Sequence, residues 1–164
     1  MQSICQKRVN RIPRRISNLI ESGGKMKVVI NKCFGGFGLS YKAVMRYAEL
    51  SGFKLYAYTH TFPKNPKDEV VYEPYDGKKD VWMITYSKRS GIVTANEMRN
   101  DDYYLESQIE RTDPILIQVI EELGKEANGR YAILSIIEIP DDIEWEIEEY
   151  DGTEHIAEKH RTWE

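Results

Sequence analysis

The residues with the clearest chemical potential form one short loop in which glycines are interleaved with aromatic side chains. Residues 31–40 read Asn-Lys-Cys-Phe-Gly-Gly-Phe-Gly-Leu-Ser and follow the apolar run Val28–Ile30. Glycine permits positive φ angles and a close approach of the backbone to another group. A turn that leads from a strand into a helix can present backbone N–H groups to an anion. The loop therefore predicts a phosphate site, with Asn31, Lys32 and Ser40 as further polar contacts.

The spacing of the glycines leaves a second interpretation of the loop open. Gly35, Gly36 and Gly38 match neither the GxGxxG dinucleotide pattern nor the GxxxxGK[ST] pattern of P-loops. A tight turn between a strand and a helix would also use these glycines, and Phe34 and Phe37 would then cover the core. In both interpretations the loop joins the first strand to the first helix.

Cys33 is the candidate nucleophile of this loop. A thiol beside glycines at the approach to a helix has the surroundings of a reactive cysteine. Its general base would be His60, His155 or His160, and no spacing in the sequence brings any of them close to Cys33. We therefore expect no catalytic residues and no cofactor, and a thiol enzyme that uses Cys33 is the last of three alternatives.

A second polar cluster lies near the C-terminus, where His160, Arg161 and Trp163 occur within four positions. If the chain is extended there, Arg161 and Trp163 share a face and can contact a phosphate and a base. A frayed tail is the alternative. We expect no metal site, because the five-residue spacing of His155 and His160 suits neither a helical nor a strand pair of ligands.

The segment from Glu138 to Asp151 carries eight carboxylates and no lysine or arginine. Glutamates at alternate positions of a strand are usually a solvated face, and they protect an edge strand from mispairing. The functional alternative is that this acidic strand docks on a basic surface of another protein. The segment thus predicts a second candidate function, that of a protein–protein inhibitor or structural accessory factor.

The composition is typical of a globular protein, with 41% hydrophobic and 30% charged residues among 164. A net charge of −4 disfavours nucleic acid as a partner. The two cysteines lie far apart and indicate neither a disulfide framework nor an oxidising compartment. No apolar run approaches the ~18 residues of a membrane span. We therefore expect a cytoplasmic protein that does not associate with membranes.

Residues 1–25 differ in charge from the rest of the chain. They hold six basic residues and one acid, a net charge of +5, which leaves −9 for residues 26–164. Three interpretations are open: a basic arm, a short amphipathic helix, and a non-native extension that arises when a ribosome-binding sequence ahead of Met26 is translated. We predict an N-terminal extension over 1–25 and a single α+β domain over 26–164.

The order of the predicted elements indicates an α+β fold, with a mixed or antiparallel sheet of five to six strands, two main helices and a C-terminal β-hairpin. Ser40 is the predicted N-cap of the first helix, and Asp113-Pro114 is the predicted start of the second. Asp151-Gly152 is the signal for the hairpin turn. Periodicity predicts strands over 26–31, 53–59, 70–72, 81–86, 131–139, 143–148 and 153–159, and helices over 41–51 and 114–127.

Three stretches resemble a family of small phage and prophage proteins. They are Asn31–Ser40, the helix start Arg111-Thr112-Asp113-Pro114, and the C-terminal Trp145–Gly152 with Ala157–Trp163. The resemblance covers the chain from Met26 onward and does not include residues 1–25. Phage accessory proteins of this size include inhibitors of host defence that hold a nucleotide-derived signal, such as the anti-Thoeris proteins that hold cyclic ADP-ribose isomers.

The resemblance implies a homo-oligomeric protein of the host cytoplasm that sequesters a small phosphate-bearing nucleotide without altering it. Together with the loop and the C-terminal cluster, it gives a predicted set of thirteen ligand-binding residues. These are Asn31, Lys32, Cys33, Phe34, Gly35, Gly36, Phe37, Gly38, Ser40, Arg111, His160, Arg161 and Trp163.

Overall fold

The computed structural model describes residues 24–61, 63–65, 67–98 and 102–160. The predicted α+β class, antiparallel strand pairing, two main helices and C-terminal hairpin are all confirmed. Within the described ranges the eight strands form three antiparallel sheets, of two, four and two strands. The predicted N-terminal extension lies outside these ranges, apart from its last two residues.

The first sheet pairs β1 (Lys25–Asn31) with β6 (Leu134–Pro140). The apolar side chains of β1 are the most deeply buried of any strand, and Val28 and Val29 are fully buried. The predicted first strand is confirmed. Strand β6 begins at Leu134, three residues later than predicted, because a turn comes first, in which the Ala132 amide donates to the Gly129 carbonyl.

The second edge of β1 is bonded to groups from two distant segments. The Val29 amide donates to the Arg111 carbonyl at 2.8 Å. The Asn31 amide donates to a carboxylate oxygen of Glu154 at 2.7 Å. Backbone donors in a buried strand need such partners, and these two contacts fix the approach to the second helix and the C-terminal hairpin against β1.

The second sheet contains four short strands in the order β3-β2-β4-β5. The strand predicted over 53–59 begins three residues later, at Tyr56, and the strand predicted over 81–86 is reduced to three residues, 85–87. Tyr103 and Tyr104 form a short edge strand that periodicity did not predict. The strands are β2 (Tyr56–Thr61), β3 (Val71–Pro74), β4 (Thr85–Ser87) and β5 (Tyr103–Tyr104).

The third sheet is the predicted hairpin of β7 (Trp145–Tyr150) and β8 (Thr153–Glu158). Asp151 and Gly152 form its turn with φ angles of 50° and 84°. Two positive φ angles in succession define the turn type that matches the twist of paired strands, and Asp-Gly is a favoured sequence for it.

The two helices begin at the predicted caps. In α1 (Tyr41–Leu50) the Ser40 hydroxyl accepts from the Ala43 amide, and in α2 (Pro114–Leu123) the Asp113 carboxylate accepts from two first-turn amides. Helix α2 ends at Leu123, four residues earlier than predicted. The next residue, Gly124, has a φ of 55°, and a 3-10 turn continues to Ala127. Within the described residues, neither helix has the length and apolar character needed to cross a bilayer.

The helices pack on the first two sheets through one main core. A second, smaller core lies under the second sheet and contains Tyr58, Tyr72, Ile92 and Met98. Fully burying a side chain such as Leu116 contributes about 1.5–3 kcal/mol. The main core consists of Val29, Leu39, Ala43, Val44, Ala48, Leu55, Ala57, Tyr86, Ile109, Leu116, Val119, Ile120 and Ala127.

Candidate functional site

The glycines of the loop permit close packing against two other segments. A Cβ atom at Gly35 would overlap the backbone oxygen and Cβ of Tyr131. On the other side, a Cβ at Gly152 in the hairpin turn would overlap the backbone of Phe34. The loop thus lies between the residues that precede β6 and the β7–β8 turn. At Gly35 the absence of a side chain serves the fold.

Asn31 is fully buried, and its side chain is occupied by internal hydrogen bonds. Its Nδ2 donates to the carbonyls of Cys33 at 2.5 Å and Gly152 at 2.7 Å. Its Oδ1 accepts from the amides of Ile133 at 2.8 Å and Cys33 at 3.2 Å. An amide with two donors and two lone pairs is fully satisfied by four such bonds. Asn31 therefore holds the loop, β6 and the hairpin together.

Arg111 and Glu154 form a buried ion pair beside Asn31. The guanidinium donates to both carboxylate oxygens, at 2.9 Å and 3.2 Å, and the side chains are only 14% and 7% exposed. The Arg111 Cζ lies 3.3 Å from the centroid of the Phe37 ring. A bidentate pair that also stacks on an aromatic ring is strongly oriented. Both side chains are committed to positioning β8 against β1.

Ser40 caps α1 and also bonds to the 3-10 turn that follows α2. Its hydroxyl donates to the Glu126 carbonyl at 2.6 Å and accepts from the Ala43 amide at 3.1 Å. The Ser40 amide donates to the Ala127 carbonyl. The donors and acceptors of Ser40 are thereby used within the protein.

Donor groups remain at the tip of the loop. Among the described residues, no well-formed hydrogen bond uses the backbone amides of Phe34, Gly35, Phe37 or Gly38. Nothing lies within 4 Å of the positions where Gly36 or Gly38 would carry a Cβ. Phe34 and Gly35 are exposed residues, Phe37 and Gly38 are half-buried, and their amides are the donors of the loop that no described group uses.

Large apolar side chains surround these amides on the outside of the protein. Phe34, Tyr131 and Ile133 are 71%, 57% and 53% exposed. The Lys32 amide donates to the Ile133 carbonyl at 2.8 Å, which places the exposed Lys32 next to them. We call Lys32, Phe34, Tyr131 and Ile133 the loop surface. The expectation that both phenylalanines cover the core is wrong for Phe34, while Phe37 packs against the core as expected.

A further exposed aromatic residue, Trp82, contacts Arg130, the residue that precedes Tyr131 in the chain. Trp82 is largely exposed, and the Cζ of Arg130 lies 5.9 Å from its ring centroid. Arg130 is also paired with Asp80 and donates to the Val81 carbonyl at 2.9 Å. Because Arg130 directly precedes Tyr131, its contact with Trp82 places Trp82 beside the segment that carries Tyr131.

The predicted C-terminal residues are not brought to the loop within the described residues. His160 is exposed and lies beyond the end of β8, whose start at Thr153 adjoins the turn. At ~3.3 Å per residue, the seven intervening residues separate His160 from the turn by about 20 Å. Arg161 and Trp163 lie outside the described residues.

Cys33 is half-buried, and both its amide and its carbonyl bond to the Asn31 side chain. The histidines lie on other elements, with His60 on β2 and His155 paired with Glu148 on the hairpin. Across the described residues, no group of three or more His, Cys, Asp or Glu side chains is arranged to hold a metal ion. The alternative of a thiol enzyme gains no support from this arrangement.

Two shallow cavities are present on the described surface, and neither is lined by residues of the loop. One has a volume of about 360 Å³ and lies between Tyr47 and Tyr104. The other has a volume of about 620 Å³ and lies between Tyr41 and Leu123. Neither of these two cavities involves the loop surface, whose apolar side chains are exposed.

Glu154 and Tyr131 are the important residues that the sequence did not single out. Glu154 occurs in a run of mixed charge with no signal of burial, and the sequence predicts Tyr131 as the first residue of a strand. One local signal was present for Glu154: it is the second residue after the predicted turn glycine, so the hairpin register fixes the face on which it lies.

No family model, curated protein or solved structure matches this chain. The relation to phage and prophage proteins therefore stays a prediction, and arguments about function depend on the geometry of the loop surface.

Proposed function

We propose that this chain is a non-catalytic binding protein, an accessory protein of phage type, that holds a small phosphate-bearing nucleotide on the loop surface. The observation that carries the proposal is the proximity of open backbone amides to exposed aromatic rings. The amides of Phe34, Gly35, Phe37 and Gly38, together with the Lys32 ammonium, are the donors for phosphate. The rings of Phe34 and Tyr131 are the stacking partners for a base.

Rigid support behind the loop favours binding. The Asn31 hydrogen bonds and the Arg111–Glu154 ion pair hold the backbone of the loop from its buried side. A ligand that meets a preformed backbone loses less free energy to ordering than one that must organise a mobile loop. In this account Asn31 and Arg111 act as positioning residues, although the sequence predicted them to contact the ligand.

The proposal is tested by thermal unfolding of the full chain against cyclic nucleotides and ADP-ribose derivatives. We expect at least one of them to raise the Tm, because a ligand that binds only the folded state stabilises it. Lys32→Gln should weaken that ligand about fivefold, the effect of losing an ion pair worth ~1 kcal/mol. The matched control is Lys125→Gln, which removes an exposed charge from another surface. A panel in which no compound raises the Tm would contradict the proposal.

A second candidate function is binding of a protein partner through the same surface, and the exposure of its large apolar side chains favours it. Small ligands are usually buried in concave sites, while exposed apolar faces rimmed by polar groups are typical of protein interfaces. The turn residue Asp151 adds negative charge beside the loop. Affinity capture from host extract distinguishes the two functions. A stoichiometric protein that wild type retains and Phe34→Ala loses would identify the second.

A further inference from the structure

The cavity of about 360 Å³ lies apart from the loop surface, between α1 and the residues that follow β5. Its volume falls within the range of small-molecule sites, which is about 300–1,000 Å³. It is lined by Tyr47, Phe53, Lys88, Tyr104, Leu105, Gln108 and Ile109.

Three aromatic rings form the walls of this cavity. The Phe53 centroid lies 5.5 Å from that of Tyr104 and 6.5 Å from that of Tyr47, with interplanar angles of 48° and 70°. Rings in this arrangement offer both faces and edges to a flat apolar body. The Tyr47 hydroxyl is already used, since it donates to the Asp113 carboxylate at 2.8 Å.

Lys88 is the charged residue among those that line the cavity. Its side chain is exposed, and no carboxylate of the described residues pairs with its ammonium. Its backbone is fixed, because the Lys88 amide donates to the Asp102 carbonyl at 2.9 Å. Among the described residues, Lys88 therefore gives the mouth of the cavity a positive charge with which no carboxylate pairs.

Burial shifts the pKa values of two groups near the aromatic wall. Glu106 is half-buried, and burial raises the pKa of its carboxyl. Burial, with smaller contributions from Tyr47 and Glu106, also raises the pKa of the Tyr104 hydroxyl. Aromatic rings in the wall and a lysine at the mouth favour a ligand that is apolar at one end and negative at the other.

We propose that this cavity binds a small planar aromatic anion, whose ring stacks among Tyr47, Phe53 and Tyr104 and whose negative group pairs with Lys88. The site is independent of the loop surface. It would exist whether or not the loop binds a nucleotide, so failure of one proposal leaves the other intact.

The probe is 2-naphthoate, with the neutral 2-naphthylmethanol as its matched control. Titrated into the ¹⁵N-labelled full chain, 2-naphthoate should give saturable chemical-shift changes at Phe53, Lys88 and Tyr104. Lys88→Gln should weaken 2-naphthoate about three- to fivefold and leave 2-naphthylmethanol unchanged, because only the anion loses an ion pair. The control Lys67→Gln removes an exposed lysine elsewhere and should change neither affinity.

A second pair of variants addresses the cavity mouth without touching the core. Leu105 is 48% exposed, so Leu105→Glu and Leu105→Gln should both fold. Leu105→Glu should weaken 2-naphthoate more than Leu105→Gln does, through repulsion of the anion. The proposal is overturned if 2-naphthoate gives no saturable shifts at millimolar concentration. Equal affinity in wild type, Lys88→Gln and Leu105→Glu would also overturn it.

Discussion

At the scale of single residues, the buried contact between Arg111 and Glu154 has the largest predicted effect on stability. Glu154→Gln removes the carboxylate that pairs with the Arg111 guanidinium, while the arginine side chain is still only 14% exposed. Removing one member of a buried pair costs about 3–5 kcal/mol, far more than the pair contributes relative to apolar replacements. We expect urea unfolding to show a loss of about 3 kcal/mol.

The matched control for that variant is Glu148→Gln. Glu148 is also on the hairpin and is paired with His155, but both side chains are more than half exposed. Exposed pairs contribute ~0–1 kcal/mol. Equal losses in Glu148→Gln and Glu154→Gln would show that the Arg111–Glu154 contact does not anchor the hairpin.

A second prediction at this scale concerns pH and Glu106. Burial raises the pKa of Glu106 above its ordinary value, so the folded state binds the proton more tightly than the unfolded state. The stabilisation from this proton is present in acid and is lost as pH rises through the raised pKa. Glu106→Gln stays neutral throughout.

We therefore expect Glu106→Gln to be more stable than wild type near neutral pH, with an advantage that shrinks as pH falls to about 4. The measurement is the free energy of unfolding in urea at both pH values. Glu73→Gln, on an exposed position of β3, is the control and should show no such trend. An advantage of Glu106→Gln that does not depend on pH would contradict the burial argument.

At the scale of elements, the loop between β1 and α1 contains two glycines at which substitution by alanine should affect stability differently. At Gly35 a methyl group would overlap the Tyr131 backbone, while at Gly38 nothing lies within 4 Å. Overpacking against backbone costs about 1–3 kcal/mol, and an alanine in open space changes stability by less than ~0.5 kcal/mol. Gly35→Ala should lower the midpoint of thermal unfolding and Gly38→Ala should not. A lower midpoint in Gly38→Ala than in Gly35→Ala would contradict the close packing of Gly35 against Tyr131.

The elements that the sequence predicted well are those specified by their own neighbours. Ser40 and Asp113-Pro114 start helices through side chains that bond to amides two or three residues away. Asp151-Gly152 makes its turn from two residues alone. Such local chemistry is visible in a linear sequence.

The elements predicted less well depend on partners that are distant in the chain. Strand β5 exists because Tyr103 and Tyr104 pair with β4, sixteen to eighteen residues earlier. The sequence predicts that α2 continues to Ala127, because Ala127 keeps the apolar pattern. In the structure Ala127 is buried, but it lies in a 3-10 turn that follows the α-helix. Periodicity reports which residues are buried and does not report the backbone conformation that buries them.

At the scale of the whole molecule, the loop surface is assembled from segments about one hundred residues apart. Lys32 and Phe34 follow β1, and Tyr131 and Ile133 precede β6. The sequence drew attention to the loop through its glycines, but only the antiparallel pairing of β1 with β6 brings the second pair of residues to it. The predicted ligand site stays a prediction, and the position of Tyr131 beside the loop could not be identified from spacing in the sequence.

Chemical-shift mapping of the ¹⁵N-labelled full chain, with the nucleotide that raises the Tm most, tests the central claim most directly. We predict saturable changes at the amides of Phe34, Gly35, Phe37 and Gly38, with smaller changes at Tyr131 and Ile133. In Phe34→Ala the same titration should require at least about fivefold more nucleotide, since stacking contributes ~1–3 kcal/mol per base and ~1 kcal/mol is about fivefold in affinity. Changes confined to the cavity beside Tyr104, or no saturable change, would contradict the claim that this loop holds the ligand.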